Sequence, residues 1–122
     1  MDLKRLKEVV HRFEDDLHGG LLSCDVFDRD GLSIYGINSN PKACALFSRI
    51  ADRMVDAMED SGFPEMEYFT VFAKDNRMVL VAQVNDRFRF GCLVDREKAG
   101  AGFVLGVALP RLMIDLEEAL SS

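Results

Sequence analysis

The sequence predicts an α+β fold: one five-stranded, mainly antiparallel sheet with helices on both faces, in the order α-β-β-α-β-β-β-α. Three observations predict it. Leu3, Leu6, Val9, Val10, Phe13 and Leu17 recur at three- and four-residue spacing among charged residues, the pattern of an amphipathic helix. Short apolar runs follow, each bounded by Gly, Asn or Asp, as strands and their turns are. In the later runs, Phe69, Val71 and Ala73 alternate with Tyr68, Thr70 and Phe72, and Val79 and Val81 alternate with Met78, Leu80 and Ala82. Neither face of such a sheet is strongly polar, so both must be covered, and three helices can do so only by dividing between the two sides.

The elements follow in order. The first helix is ended by Gly19-Gly20. Runs 21–27 and 32–37 flank DRDG (Asp28 to Gly31), whose residues suit a hairpin turn. Asn38-Ser39-Asn40 before Pro41 is a helix start, a polar cap with proline at an early helical position, and predicts a second helix over 41–60 that stops at Ser61-Gly62. Runs 67–73, 78–84 and 88–94 are strands separated by Asp75-Asn76 and Asn85-Asp86, both turn formers. The last helix spans 103–120. Its first half is apolar almost all round and is expected to be deeply buried. Gly102 and Gly106 would let it approach a neighbour closely, and Pro110 should bend it or mark a late start.

At 122 residues the chain is expected to form one domain over 1–122, long enough to bury a substantial core. The balance of 15 Lys+Arg against 21 Asp+Glu gives a formal charge of −6, which disfavours nucleic acid and anionic membrane as partners. MDLKRLKEVV is charged and lacks the apolar core of a secretory signal. The longest mostly apolar stretch, 99–109, is too short to cross a bilayer. Cys24, Cys44 and Cys92 are far apart, odd in number and contain no CxxC, so they read as buried reduced thiols of a cytoplasmic protein.

Candidate chemistry is thin. Aligned to a calcium loop with Gly31 at the sixth position, the sequence supplies Asp28 and Asp30 but places Val26 first and Ile37 twelfth, so two ligands are missing and the flanks are strands. DRDG therefore reads as a turn. His11 and His18 belong to the first helix or its end, and His11 falls on its charged side, a solvated position. Cys24 and Cys92 alternate with polar or small residues on strands and read as small core residues. No HExxH and no GxxxxGK[ST] is present. KAGAG (Lys98 to Gly102) could meet an anion at a helix start, but close packing of that start is the reading taken. No cofactor or metal is expected.

What remains is surface. The second helix carries Phe47, Ala51, Met54, Val55 and Met58 along one side, widened by Leu46, Ile50 and Ala57. Such an arc is broader than a helix on one sheet face needs. It reads either as a second contact or as a well-covered core helix. If strand 67–73 lies at the sheet edge, its open side could pair with a second copy.

The run LLSCDVFDRDGLSIYG resembles the first hairpin of the Roadblock/dynein light chain family, and the element order matches from Leu3 to Leu120. This resemblance implies a Roadblock/profilin-like build with no catalytic group of its own, of the bacterial GTPase-regulator type. It implies homodimerisation through the second helix and third strand, carried here by Phe47, Ile50, Met54, Ala57, Tyr68, Thr70 and Phe72. It also implies a small Ras-like GTPase as partner, scaffolded or stimulated in hydrolysis. Arg49 and Arg53, on the polar side of the second helix, are assigned to that partner, with ordinary solvated charges as the alternative. Pro110 and GAGFVLG are unusual for the family's final helix. The rival expectations are a profilin- or PAS-like small-ligand sensor, with its pocket between sheet and helix, and a pure dimerisation scaffold.

Overall fold

The computed structural model describes residues 1–121. Its elements are α1 (Leu3–Asp16), β1 (Leu21–Asp28), β2 (Ser33–Ile37), α2 (Pro41–Asp60), β3 (Tyr68–Ala73), β4 (Arg77–Gln83) and β5 (Phe88–Asp95). The chain ends in α3 (Ala101–Phe103), a π-helical segment over Val104–Ala108, and α4 (Leu109–Ser121). The five strands form one sheet in the order β2-β1-β5-β4-β3, and every neighbouring pair is antiparallel. The α-β-β-α-β-β-β-α order holds, with boundaries within a residue or two of those the sequence predicts, except that the last helical run begins two residues early.

The helices divide unequally. α1 and α4 pack antiparallel on one face: Asp2 N–H donates to Ala119 O at 2.9 Å, and Arg12 meets Asp115 at 3.5 Å. Beneath them lies the larger core, where Leu6, Val10, Phe13 and Leu116 meet Val26, Met78, Leu80 and Phe90. Phe13 and Phe90 stack edge to face, with centroids 5.4 Å apart. α2 alone covers the other face, through a small core of Phe27, Cys44, Ala51 and Val81. Cross-strand pairing explains the split: Val79 and Val81 stand opposite Val71 and Phe69, while Met78, Leu80 and Ala82 stand opposite Phe72, Thr70 and Tyr68.

Two polar devices seat α2. At its start, Asn40 caps the helix by accepting from Ala43 N–H at 3.1 Å, and Pro41 fills the first turn. The buried Asp25 carboxylate holds the connection to β2, accepting from the Ser33 hydroxyl at 2.6 Å, the Ser39 hydroxyl, and Asn40 N–H at 3.0 Å. Gly36 gives this carboxylate its room, since a Cβ there would sit 2.3 Å from Asp25 Oδ1. Mid-helix, Arg89 of β5 is 1% exposed and lies between sheet and helix. It donates to Gln83 Oε1 at 2.8 Å, to the Ser48 carbonyl and hydroxyl at 3.0 Å each, and to Asp52 at 2.7 Å.

DRDG is a turn. Asp28 Oδ1 accepts from the N–H groups of Asp30 and Leu32, an Asx arrangement, and Gly31 adopts a φ of 85°. Gly31 also lets the turn lie against α2, because a Cβ there would come 2.7 Å from Ala45 Cα.

The last helix departs from expectation. Its first half is not deeply buried: Val104, Ala108 and Leu109 face the core, but Phe103 is 43% and Val107 49% exposed. Gly100, Gly102 and Gly106 have no neighbour within 4 Å of an added Cβ, so they mediate no close packing. The tight contact is between Gly20 and Ala99, at 2.6 Å for an added Cβ. Pro110 neither starts the helix nor stops it. Leu109 N–H reaches back to Val104 O, and this widened turn directly precedes the residue that has no N–H to donate.

Replacing Arg89 with Met keeps the side-chain length but orphans the acceptors on Ser48 and Gln83. Urea denaturation should show a loss of about 2–3 kcal/mol, with the Asp52 share reduced by its exposure to water. Ser48→Ala should cost about 2 kcal/mol, because the hydroxyl's bond from the guanidinium and its bond to Arg29 O are both lost.

Candidate protein interaction surface

α2 turns Cys44, Ser48 and Ala51 to the sheet and leaves Phe47, Val55 and Met58 half-buried. Its remaining apolar residues are uncovered. Leu46 is 46%, Ile50 42% and Met54 40% exposed, and Ala57 is exposed as well. At 100° per residue these four form one ridge along the helix. Phe47 stacks on Phe69 of β3 with centroids 6.5 Å apart, so the ridge runs along the β3 flank of α2.

β3 is an edge strand, paired only with β4. Its sequence, YFTVFA, carries no charge, no proline and no bulge, the devices that usually blunt an edge. Val71 is 48%, Phe72 57% and Tyr68 38% exposed. An apolar ridge and an unpaired apolar edge therefore lie side by side, a surface suited to another protein.

The sequence-assigned residues fall into two groups. Phe47, Ile50, Met54 and Ala57 lie on α2, as do Arg49 and Arg53, which are exposed and form no ion pair among the described residues. Phe47 is engaged within its own chain. Tyr68, Thr70 and Phe72 point to the opposite sheet face, toward α1 and α4. The Thr70 hydroxyl donates to Val79 O at 2.8 Å, and the Arg96 guanidinium lies 4.9 Å over the Phe72 ring. On β3 the exposed residues that share the α2 side are Val71 and Ala73. Sequence reasoning counted Leu46 in the wide arc of α2 and set Val71 on one face with Phe69 and Ala73, but took neither Leu46 nor Val71 into the dimer set.

Between the N-terminal half of α2 and the sheet lies a cavity of about 190 Å³, lined by Ala43, Cys44 and Phe47 above and Val79, Gly91 and Leu93 below. It exists because one helix cannot cover five strands. Asp25 reaches it, but its carboxylate is already held by three donors, so no free polar set converges there. The thiols are buried and free. Burial pushes Cys24 and Cys44 from the ordinary 9.0 up to about 12, with Asp25 adding to the rise at Cys44, and burial also pushes Cys92 up. None is a nucleophile near neutrality. His11 is exposed, its ring held by Tyr35 and by Glu14 at 3.2 Å. Among the described residues no group of three or more His, Cys, Asp or Glu could hold a metal ion. Among the described residues no helix is long and apolar enough to cross a membrane.

The architecture settles the class of fold. MglB from Myxococcus xanthus superposes with a TM-score of 0.84 at 14% identity, over 97% of this chain and 89% of that one. This chain has the Roadblock/LC7 fold. The gliding protein MglB from Thermus thermophilus agrees, at TM-score 0.82 and 15% identity over 98% of this chain and 91% of its own. A Roadblock/LC7 domain from Streptomyces avermitilis matches over all of both chains at TM-score 0.68 and 19% identity. No sequence-family profile and no curated protein sequence matches. The likeness to these structures is one of fold.

The thiols supply a check on both layers, Cys44 under α2 and Cys24 and Cys92 under α1 and α4. At about pH 8 they should react slowly with a thiol reagent in the native protein and fully after unfolding. The unfolded thiols ionise near 9.0 and the folded Cys24 and Cys44 only near 12, so stability is fully present below pH 9 and falls as pH rises toward 12. Cys44→Ala should lessen that fall, measured by urea denaturation at stepped pH.

Proposed function

We propose that this chain is a non-enzymatic regulatory domain that forms a homodimer through α2 and β3 and binds a small Ras-like GTPase, modulating its hydrolysis or its localisation. The observation that carries the reading is the apolar ridge Leu46-Ile50-Met54-Ala57 beside the unpaired edge of β3. The Roadblock/LC7 fold and the family resemblance of the hairpin support the choice of partner. A two-fold pairing of β3 with its copy would extend the sheet across both subunits and bring the two ridges together. Residues on both faces of β3, Val71 on one and Tyr68 and Phe72 on the other, would then flank the joint. A regulator of this kind needs no catalytic group of its own. It can hold the GTPase's own residues in place, or lend an arginine, and Arg49 and Arg53 are exposed on α2 without ion-pair partners among the described residues.

Ile50→Asp and Val71→Lys each place a charge where the dimer would be dry. Light scattering after size exclusion should show a monomer at concentrations where the parent is a dimer, a shift of at least about tenfold in dissociation constant. A folded variant that remains dimeric removes this surface from the interface. Affinity capture from cell extract, with GDP in one arm and a non-hydrolysable GTP analogue in the other, should retain a small GTPase in the analogue arm. Arg49→Glu with Arg53→Glu should weaken that capture while leaving the dimer intact; unchanged capture assigns both to solvent.

The cavity beneath α2 is the one observation that favours a small-ligand sensor instead. A rise in melting temperature with a small apolar compound, lost when Gly91 or Ala43 is enlarged, would move the reading there.

A further inference from the structure

Segment 62–67, which links α2 to β3, stands between two hollows with apolar floors and polar rims. On the α2 side a hollow of about 410 Å³ has Val55, Met58, Phe63 and Met66 as its floor and Glu59, Glu65 and Asp86 at its rim. On the α4 side a larger one, about 630 Å³, has Met66, Leu105, Leu109 and Met113 beneath and Glu65, Glu67, Asp86 and Glu117 around it. Glu65, Met66, Gln83 and Asp86 line both, so the two hollows meet along this segment. Large apolar side chains stand open at either end, Phe63 at 62% and Ile114 at 69% exposed.

The charge at this surface is predominantly negative. The five carboxylates of the rims form no ion pair among the described residues. The cations that touch the hollows are Arg29 and Arg89. Arg89 is buried and bonded to Asp52 at 2.7 Å, and Arg29 lies 3.8 Å from the same carboxylate. The two share that one carboxylate, so a single net positive charge is left against the five carboxylates of the rims, and no lysine lines either hollow. A floor rich in methionine adapts to varied apolar shapes, and an acidic rim draws cations and repels anionic surfaces.

We propose that these joined hollows dock a basic amphipathic peptide segment of a partner protein, its apolar residues on Met58, Met66 and Met113 and its Lys or Arg heads on Glu59, Glu65, Asp86 and Glu117. The aliphatic stems of those basic residues would cover the apolar floor while their heads stay at the rim. The site adjoins the Ala57 end of the ridge and lies apart from Leu46 and Ile50, and the inference goes beyond the GTPase reading without depending on it.

The test uses the full chain in its own oligomeric state with the methionine methyl groups labelled for NMR. The probe is a synthetic Leu/Lys amphipathic peptide, compared with a Leu/Glu counterpart and with oligolysine. The Leu/Lys peptide should shift Met58, Met66 and Met113 and leave Met54, on the ridge, and Met78, in the core, in place. Glu65→Lys with Asp86→Lys, both exposed, should weaken binding by about tenfold or more, while Glu8→Lys with Asp15→Lys on α1 should not. The melting midpoint of each variant confirms that it is folded. Equal weakening by both charge reversals, oligolysine binding as tightly, shifts centred on Met54, or no binding at all would each overturn the proposal.

Discussion

Arg89 is the fixed point of the α2 layer. A guanidinium taken out of water costs several kcal/mol unless its donors are met, and here they are met by Gln83, Ser48 and Asp52. That requirement is directional. An apolar contact alone would let α2 roll over the sheet by a fraction of a turn. Bonds from Arg89 to both the carbonyl and the hydroxyl of Ser48 allow one rotation only. The Ser48 hydroxyl in turn donates to Arg29 O at 2.7 Å, tying the β1–β2 turn into the same network. With Asp25 holding the helix start, α2 is pinned at two points along its length. The outward direction of Leu46, Ile50 and Met54 follows from those two pins.

The unequal division of helices explains most of the surface. α1 and α4 together cover one sheet face and bury a continuous core. α2 covers the other by itself, and what it leaves over becomes the cavity near Gly91, the exposed Val71 and the open β3 edge. Apolar exposure of this extent is costly in an isolated chain, since each half-open side chain forgoes about 1 kcal/mol of burial. Its concentration along one flank of α2 marks it as a contact surface and not as scattered apolar residues.

The two ends of this layer differ in chemistry. The ridge and edge are apolar and uncharged apart from Arg49 and Arg53, as suits contact with a like surface. The hollows around segment 62–67 combine an apolar floor with an excess of carboxylates, as suits an unlike, basic partner. Surfaces of different chemistry on one domain can select different partners.

Much of this was legible in the sequence. Periodicity gave the helices and strands, Asn40-Pro41 gave the start of α2, and the missing ligands around Gly31 decided against a calcium loop. These are local properties, set by side-chain spacing and backbone preference within a few residues. The excess width of the apolar arc on α2 was legible too, but not its use. The tertiary structure alone decided that β3 is an edge, that Tyr68 and Phe72 face away from α2 while Val71 faces with it, and that Arg89 is buried under Ser48. It also decided that Gly102 and Gly106 touch nothing and that a π turn accommodates Pro110. Each of these depends on which distant segments meet, as when Gly91 of β5 lies opposite Asp25 of β1 and Val81 of β4. Local spacing says which side chains share a face; only the closed sheet says what stands across from that face.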